Sequence, residues 1–272
     1  MEARIAGMSI WGPGLEGWSA SRPILTGEQQ YVVRESPPPP AALLSPTERR
    51  RAGVVTRLAL AVAGEAVAMS ALSAMELRSV FGSATGDGIV LHTILDALAK
   101  SDPVSPTQFH NSVHNSPAGY WSIGTGSAQP VSCLGCHDFT FAAALLKAMA
   151  QVCVERVSTL LCVYDVPLPV PLDVKYPIAA LFGVGLVLSP VESGSEAPTI
   201  SVDYAAEPPI SGSVTPSQPG LQALSRTVPA ARGLRLLESL ARGVPDAFAL
   251  AYLDGRLDIR LDPCSTASKF SV

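Results

Sequence analysis

Three consecutive stretches decide the fold class: Phe139–Val154 (FTFAAALLKAMAQVCV), Thr159–Val166 (TLLCVYDV) and Ala180–Leu188 (ALFGVGLVL). The first is long enough for a helix and almost wholly apolar, which predicts a buried helix. The second and third are short, continuous apolar runs, the pattern of strands covered on both faces. A buried helix followed by two such strands predicts a layered α/β fold.

The same alternation continues upstream. Val55, Leu58, Val62, Ala66 and Met69 recur at helical spacing and predict a helix over Val54–Leu72. Ser45-Pro46-Thr47-Glu48 is a helix start, with Ser45 as N-cap, Pro46 in the first turn and Glu48 completing a capping box. Val80-Phe81 predicts a short strand. A second helix over about 89–99 places Leu91, Ile94, Leu95 and Leu98 on one face. Ser105-Pro106-Thr107 opens a further segment, and Gly119–Ile123 predicts a strand. Residues 3–10 predict a first strand running into Trp11-Gly12-Pro13-Gly14, and 28–47, with Pro37 to Pro40, an extended connector.

Downstream, the Ser/Pro/Glu/Gly-rich stretch 191–220 reads as a linker or surface loop. A helix over about 229–242 follows, then two short runs, 247–252 and 257–261, with Asp254-Gly255 as hairpin signal. This divides the chain into a domain at 1–190, a linker at 191–220, and a C-terminal part at 221–272 packing on the first.

Composition excludes several classes. Of 272 residues, 47% are hydrophobic and 15% charged, which is too apolar for a disordered chain. A net charge of −4 without a basic run argues against nucleic-acid or membrane-surface binding. The apolar stretches are too short to span a bilayer, and the N-terminus lacks a signal-peptide pattern. Cysteines scattered at 133, 136, 153, 162 and 264 fit reduced thiols. The location expected is cytoplasmic.

Three motifs invite a chemical reading. Cys133-x-x-Cys136-His137, with His110-x-x-x-His114 upstream, contains zinc-ligand residue types, but the spacing matches no finger; the plainer alternative is thiols packing as small hydrophobes. Cys136 or Cys133 precedes an apolar helix whose N-terminus lowers a thiol pKa, and His110 or His114 are the candidate bases. Gly82–Gly88 (GSATGDG) lacks a phosphate-loop pattern and reads as a turn needing positive φ.

The block Pro106–Ile123 (PTQFHNSVHNSPAGYWSI) resembles the N-x-x-A-G region of β-ketoacyl synthases. Its fuller wording is similar to the short chain length factors of type II aryl-polyene systems. Ile10–Gly14, Glu48–Arg51, Tyr164–Pro169, Pro177–Ala180, Pro229–Ala231 and Tyr252–Gly255 resemble the same branch. The resemblance covers nearly the whole chain. It implies a thiolase-like α/β fold of two βαβαβαββ halves in five layers, here with a shortened second half.

The resemblance also implies roles. The nucleophile-equivalent turn before the 139–154 helix falls at Gly135, or at Cys136 with a one-residue shift, and chain length factors lack the Cys there. Ketosynthases draw two catalytic His from the second half, whereas the four His here are 92, 110, 114 and 137. The implied function is a non-catalytic partner of a full-length β-ketoacyl synthase, closing an acyl tunnel and serving acyl carrier protein, with no cofactor and no metal. Thr107, Phe109, His110, Val113, His114, Asn115, Pro117 and Gly119 are the implied tunnel and interface residues. Phe109 and Val113 share a helical face, as tunnel floor or as ordinary core. The alternative function is a cysteine-dependent acyltransferase on carrier-protein thioesters, using Cys136 with His110 or His114.

Overall fold

The computed structural model describes residues 1–192, 197–207 and 215–263. Cys264, the end of the C-terminal part and two pieces of the 191–220 stretch (193–196 and 208–214) lie outside the described residues.

In chain order the first elements are β1 (Glu2–Gly12), β2 (Leu15–Glu16), α1 (Trp18–Thr26), α2 (Pro46–Arg51), α3 (Val54–Ser70) and β3 (Arg78–Gly82). Then come α4 (Gly88–Ala99), α5 (Pro106–Asn111), α6 (Ser116–Thr125), β4 (Val131–Leu134), α7 (Thr140–Glu155) and β5 (Thr159–Asp165). The chain continues through α8 (Leu172–Lys175), β6 (Phe182–Ser189), β7 (Thr199–Ala205), α9 (Pro219–Thr227), α10 (Leu234–Arg242), β8 (Asp246–Tyr252) and β9 (Gly255–Asp262). Single 3-10 turns at His137–Phe139 and Pro229–Gly233 lead into α7 and α10.

The strands form one nine-stranded sheet of order β4-β3-β5-β6-β1-β7-β9-β8, with β2 paired to β1. β4, β3 and β5 are parallel, and every other pairing is antiparallel. β5 and β6 are buried along their whole length, as continuous apolar runs require. Alternate residues of β5 serve two cores. Leu160, Cys162 and Tyr164 pack with α3 and α6, while Leu161 and Val163 pack with α7 and α10.

The sheet passes from the first half to the second at β1. Arg4 to Trp11 pair with β6, and Glu2 to Arg4 pair with β7. α7 therefore has β3 and β5 on one side and β8 on the other. Close packing here depends on Gly233: a Cβ there would lie 2.4 Å from the Phe141 ring. The outer face of β7-β9-β8 carries Arg256, Asp258 and Arg260, and no helix covers it among the described residues. The thiolase-like expectation holds, with a second half that contributes the three strands β7, β9 and β8.

Several expectations are corrected. Gly119–Ile123 is not a strand but the body of α6, entered through Pro117 and ended by Gly126 at φ 70°. The stretch 191–220, read as a linker, contains β7, whose Ile200 and Val202 point into the core, and the first residues of α9. The β8–β9 turn is Leu253-Asp254, one residue before the expected pair, with Leu253 at φ 52°. The helix expected at 89–99 is present as α4, but Leu91, Leu95 and Leu98 face outward. Ser45 caps α2 as expected, its Oγ accepting the Glu48 N–H at 3.3 Å.

Candidate functional site at the β4–α7 turn and the α4–α6 face

The turn between β4 and α7 is built from Gly135, Cys136 and the 137–139 turn. Thr140 holds it: its Oγ1 accepts the Cys136 N–H at 2.9 Å and donates to the His137 carbonyl at 2.7 Å. His137 has φ 47°, a conformation few non-glycine residues adopt. Such outliers cluster at functional turns. The strained position is therefore His137, beside the two residues singled out from the sequence. Its exposed ring lies 5.6 Å from that of Tyr176.

Gly135 is fixed by close approach. A Cβ there would lie 2.8 Å from the Ser83 carbonyl oxygen and 3.4 Å from His114 Nε2. The turn has no room for a thiol at this position. The structure brings Gly135 and His114 together, but not as nucleophile and base. His114 Nε2 lies 3.0 Å from the Ser83 carbonyl, which only accepts, so this nitrogen carries the proton.

The loop after β3 is tied down by Asp165, at the end of β5. Its buried carboxylate accepts the Ala84 N–H at 2.8 Å, the Ser83 hydroxyl at 3.2 Å and the Ala230 N–H at 2.8 Å. Burial outweighs these donors and raises its pKa to about 7. Gly86, at φ 63° and donating to Ser83 Oγ, gives the Gly82–Gly88 stretch its turn.

The thiols are not equivalent. Cys133 is half-buried on β4, and burial pushes it up to about 11. Cys162 is fully buried and also raised. Cys136 is half-buried. Among the described residues no imidazole hydrogen-bonds a thiol, and no three His, Cys, Asp or Glu side chains gather to hold a metal ion.

The implied interface residues lie together on α5, α6 and the link between them. Asn111 anchors this corner, donating to the Arg51 carbonyl at 2.8 Å and accepting from Tyr120 OH at 3.1 Å. His110 meets Tyr120 edge-on at 6.3 Å. Pro117 is buried, while Thr107, Asn115 and Gly119 are exposed. Phe109 is 68% exposed and Val113 50%, which removes the ordinary-core reading for both. A groove of about 400 Å³ runs between Asn115, Gly119 and Ser122 on one side and Val131 and Cys133 of the free edge strand β4 on the other.

A feature the sequence reading missed surrounds these residues. Ile89, Leu91, Leu95 and Leu98 of α4 and Ile123 of α6 are all exposed large apolar side chains. The helical spacing of α4 was visible, but spacing does not say which side of a helix is covered.

A family model, the β-ketoacyl synthase N-terminal domain, matches residues 25–241. The chain belongs to the β-ketoacyl synthase family. No curated protein sequence matches this ketosynthase-family chain. Solved structures do. A chain of the ketosynthase ApeO in complex with its chain length factor ApeC, from Xenorhabdus doucetiae, aligns with TM-score 0.72 and 18% identity, over 96% of this chain and 99% of that one. The ishigamide ketosynthase/chain length factor aligns with TM-score 0.70 and 13% identity, over the same shares. A complex of the type II polyketide acyl carrier protein with its ketosynthase, AntDE:AntF, aligns with TM-score 0.65 and 10% identity, again over 96% and 99%. These likenesses show the thiolase-like fold of the ketosynthase-family chain. Among its described residues no helix is long and apolar enough to cross a membrane.

Proposed function

We propose that this chain is a non-catalytic chain length factor. It pairs with a full-length β-ketoacyl synthase and closes the tunnel that receives the acyl chain grown on carrier protein in aryl-polyene synthesis, in the cytoplasm. The observation that carries this reading is the set of exposed apolar side chains on α4, α5 and α6, of which α6 borders the free edge of β4. An apolar patch next to an unpaired strand edge is what a partner protein covers. Phe109 and Val113 stand on that face, where a tunnel shared with the partner would end.

The lack of catalysis has its own support. Gly135 leaves no room for a thiol, and His114 spends its Nε2 proton on a backbone carbonyl. No His follows 137 in the sequence to stabilise the charge that develops on decarboxylation.

The test is co-expression with a full-length β-ketoacyl synthase. A stable 1:1 complex is expected, with ketoacyl product only when the ketosynthase is present. A monomer that ignores the ketosynthase, or condensation by this chain alone, would overturn the reading.

A further inference from the structure

We propose that residues 167–176, which carry α8, form a stiff apolar knob that docks on the full-length ketosynthase beside the α4 face. The proposal rests on the partner reading above and adds to it a contact made by a separate element.

The segment reads Pro167-Leu168-Pro169-Val170-Pro171-Leu172-Asp173-Val174-Lys175-Tyr176. Proline rings fix φ at 167, 169 and 171, and each holds the residue before it extended. The chain then closes into α8, the Leu172 N–H donating to the Pro169 carbonyl at 2.8 Å and the Tyr176 N–H to the Leu172 carbonyl at 3.2 Å. Both ends are anchored. Leu168 packs against the first residue of α4, so closely that a Cβ on Gly88 would lie 2.1 Å from its Cδ2. Tyr176 sets its ring 5.6 Å from that of His137 and donates its hydroxyl to Asp138 at 3.4 Å. Between these anchors Val170 is 71% exposed, and Val174 is 82% exposed, the highest value of any large apolar side chain among the described residues.

A loop free to move turns such side chains inward. One fixed by three prolines and two anchors holds them in water, where apolar surface is unfavourable until a partner covers it. A segment already ordered loses little conformational entropy on docking, so burial of the two valines contributes to binding almost undiminished. The occupant is the ketosynthase because the knob is seated on α4 itself. Leu168 packs on Gly88, and the next residue, Ile89, opens the exposed apolar set of Ile89, Leu91, Leu95 and Leu98. A protein that covers this set meets the knob at the start of the same helix.

The natural chain and the double variant Val170→Lys, Val174→Lys are each co-expressed with a full-length β-ketoacyl synthase, and dissociation of the purified complexes on dilution is followed by mass photometry. Val154→Lys is the control: that valine is 78% exposed at the opposite end of α7, about 24 Å along the helix from the turn. The double variant should bind at least tenfold more weakly and the control within about twofold of the natural chain. Amide exchange over 172–176 should slow in the natural complex. A natural chain that does not pair removes the partner reading and this contact with it. A natural chain that pairs while the double variant pairs equally well removes the knob alone. A control as weak as the double variant, or a double variant that pairs normally but no longer accepts acyl carrier protein, would also overturn the proposal. Should the double variant not fold, amide exchange decides, and an unchanged rate over 172–176 overturns the proposal.

Discussion

Asp165 accepts the backbone N–H of Ala230 across 65 residues of chain, at 2.8 Å, and so fastens the end of β5 to the turn that enters α10. The same carboxylate takes the Ala84 N–H and the Ser83 hydroxyl. One buried side chain sets the relation of three loops around the β4–α7 turn.

Replacing Asp165 by Asn keeps the size but puts N–H donors where only acceptors fit. At least one buried backbone N–H loses its partner, so Asp165→Asn should destabilise the chain by about 1–3 kcal/mol at neutral pH. Urea unfolding of the two forms measures this, and equal midpoints would contradict it.

Stability should also fall with rising pH. Burial raises the Asp165 pKa from 3.8 to about 7 in the folded chain. Between these values the folded state holds a proton that the unfolded state has lost. The contribution is therefore complete below about pH 4 and lost as pH rises through about 7. Thermal melts from pH 5 to 8 should show the natural chain declining relative to Asp165→Asn. Parallel profiles would show that Asp165 does not titrate in this range.

Gly135→Ala should be costly and Cys136→Ala cheap. The added methyl meets the Ser83 carbonyl oxygen, a backbone atom that cannot swing aside. The expected loss is about 1–3 kcal/mol. Cys136 is half-buried without a catalytic contact, and its removal should cost about 1 kcal/mol or less. A complex reconstituted with Cys136→Ala should keep its activity. A folded, paired and inactive variant would bring the acyltransferase reading back.

Phe109→Ala should change the stability of the chain by less than about 1 kcal/mol, because the ring is mostly exposed. In the complex it should lengthen the polyene, and product lengths are read by mass spectrometry at matched complex concentration. An unchanged distribution from a folded variant would remove Phe109 from the tunnel, and a silent Val113→Ala would remove the segment.

Leu95→Lys with Leu98→Lys should leave the chain folded, since both positions are exposed on α4. Self-association should drop and the complex with the ketosynthase should fail to form. Size-exclusion chromatography with light scattering reads both, and an intact complex would place the interface elsewhere.

Much of the fold was legible because burial on both faces leaves continuous apolar runs, as in β5 and β6, and burial on one face leaves helical spacing, as in α3. α6 was misread because Tyr120, Trp121 and Ile123 favour strands. Pro117 in the first turn and packing of Trp121 against Phe81 outweigh that local preference. β7 was hidden because its alternation is short and set in a Ser/Pro-rich stretch. The exposure of Phe109 and Val113 was not legible, because no local pattern says whether an aromatic or branched side chain is covered.

The place of β1 in the sheet bears on how the protein is made. It leaves the ribosome long before its partners, since Arg4 pairs with Ser189 and Ala3 with Ile200. At ordinary rates of synthesis the strand waits roughly 10–40 s for its neighbours. Throughout that time an alternating apolar strand is open on both edges to any other nascent chain. The α4 helix emerges while β1 is still unpaired, with its apolar face equally bare. Translation beside the ketosynthase would shorten the second exposure but not the first. The yield of folded protein should therefore depend on chaperones holding the N-terminal segment until β6 has been made.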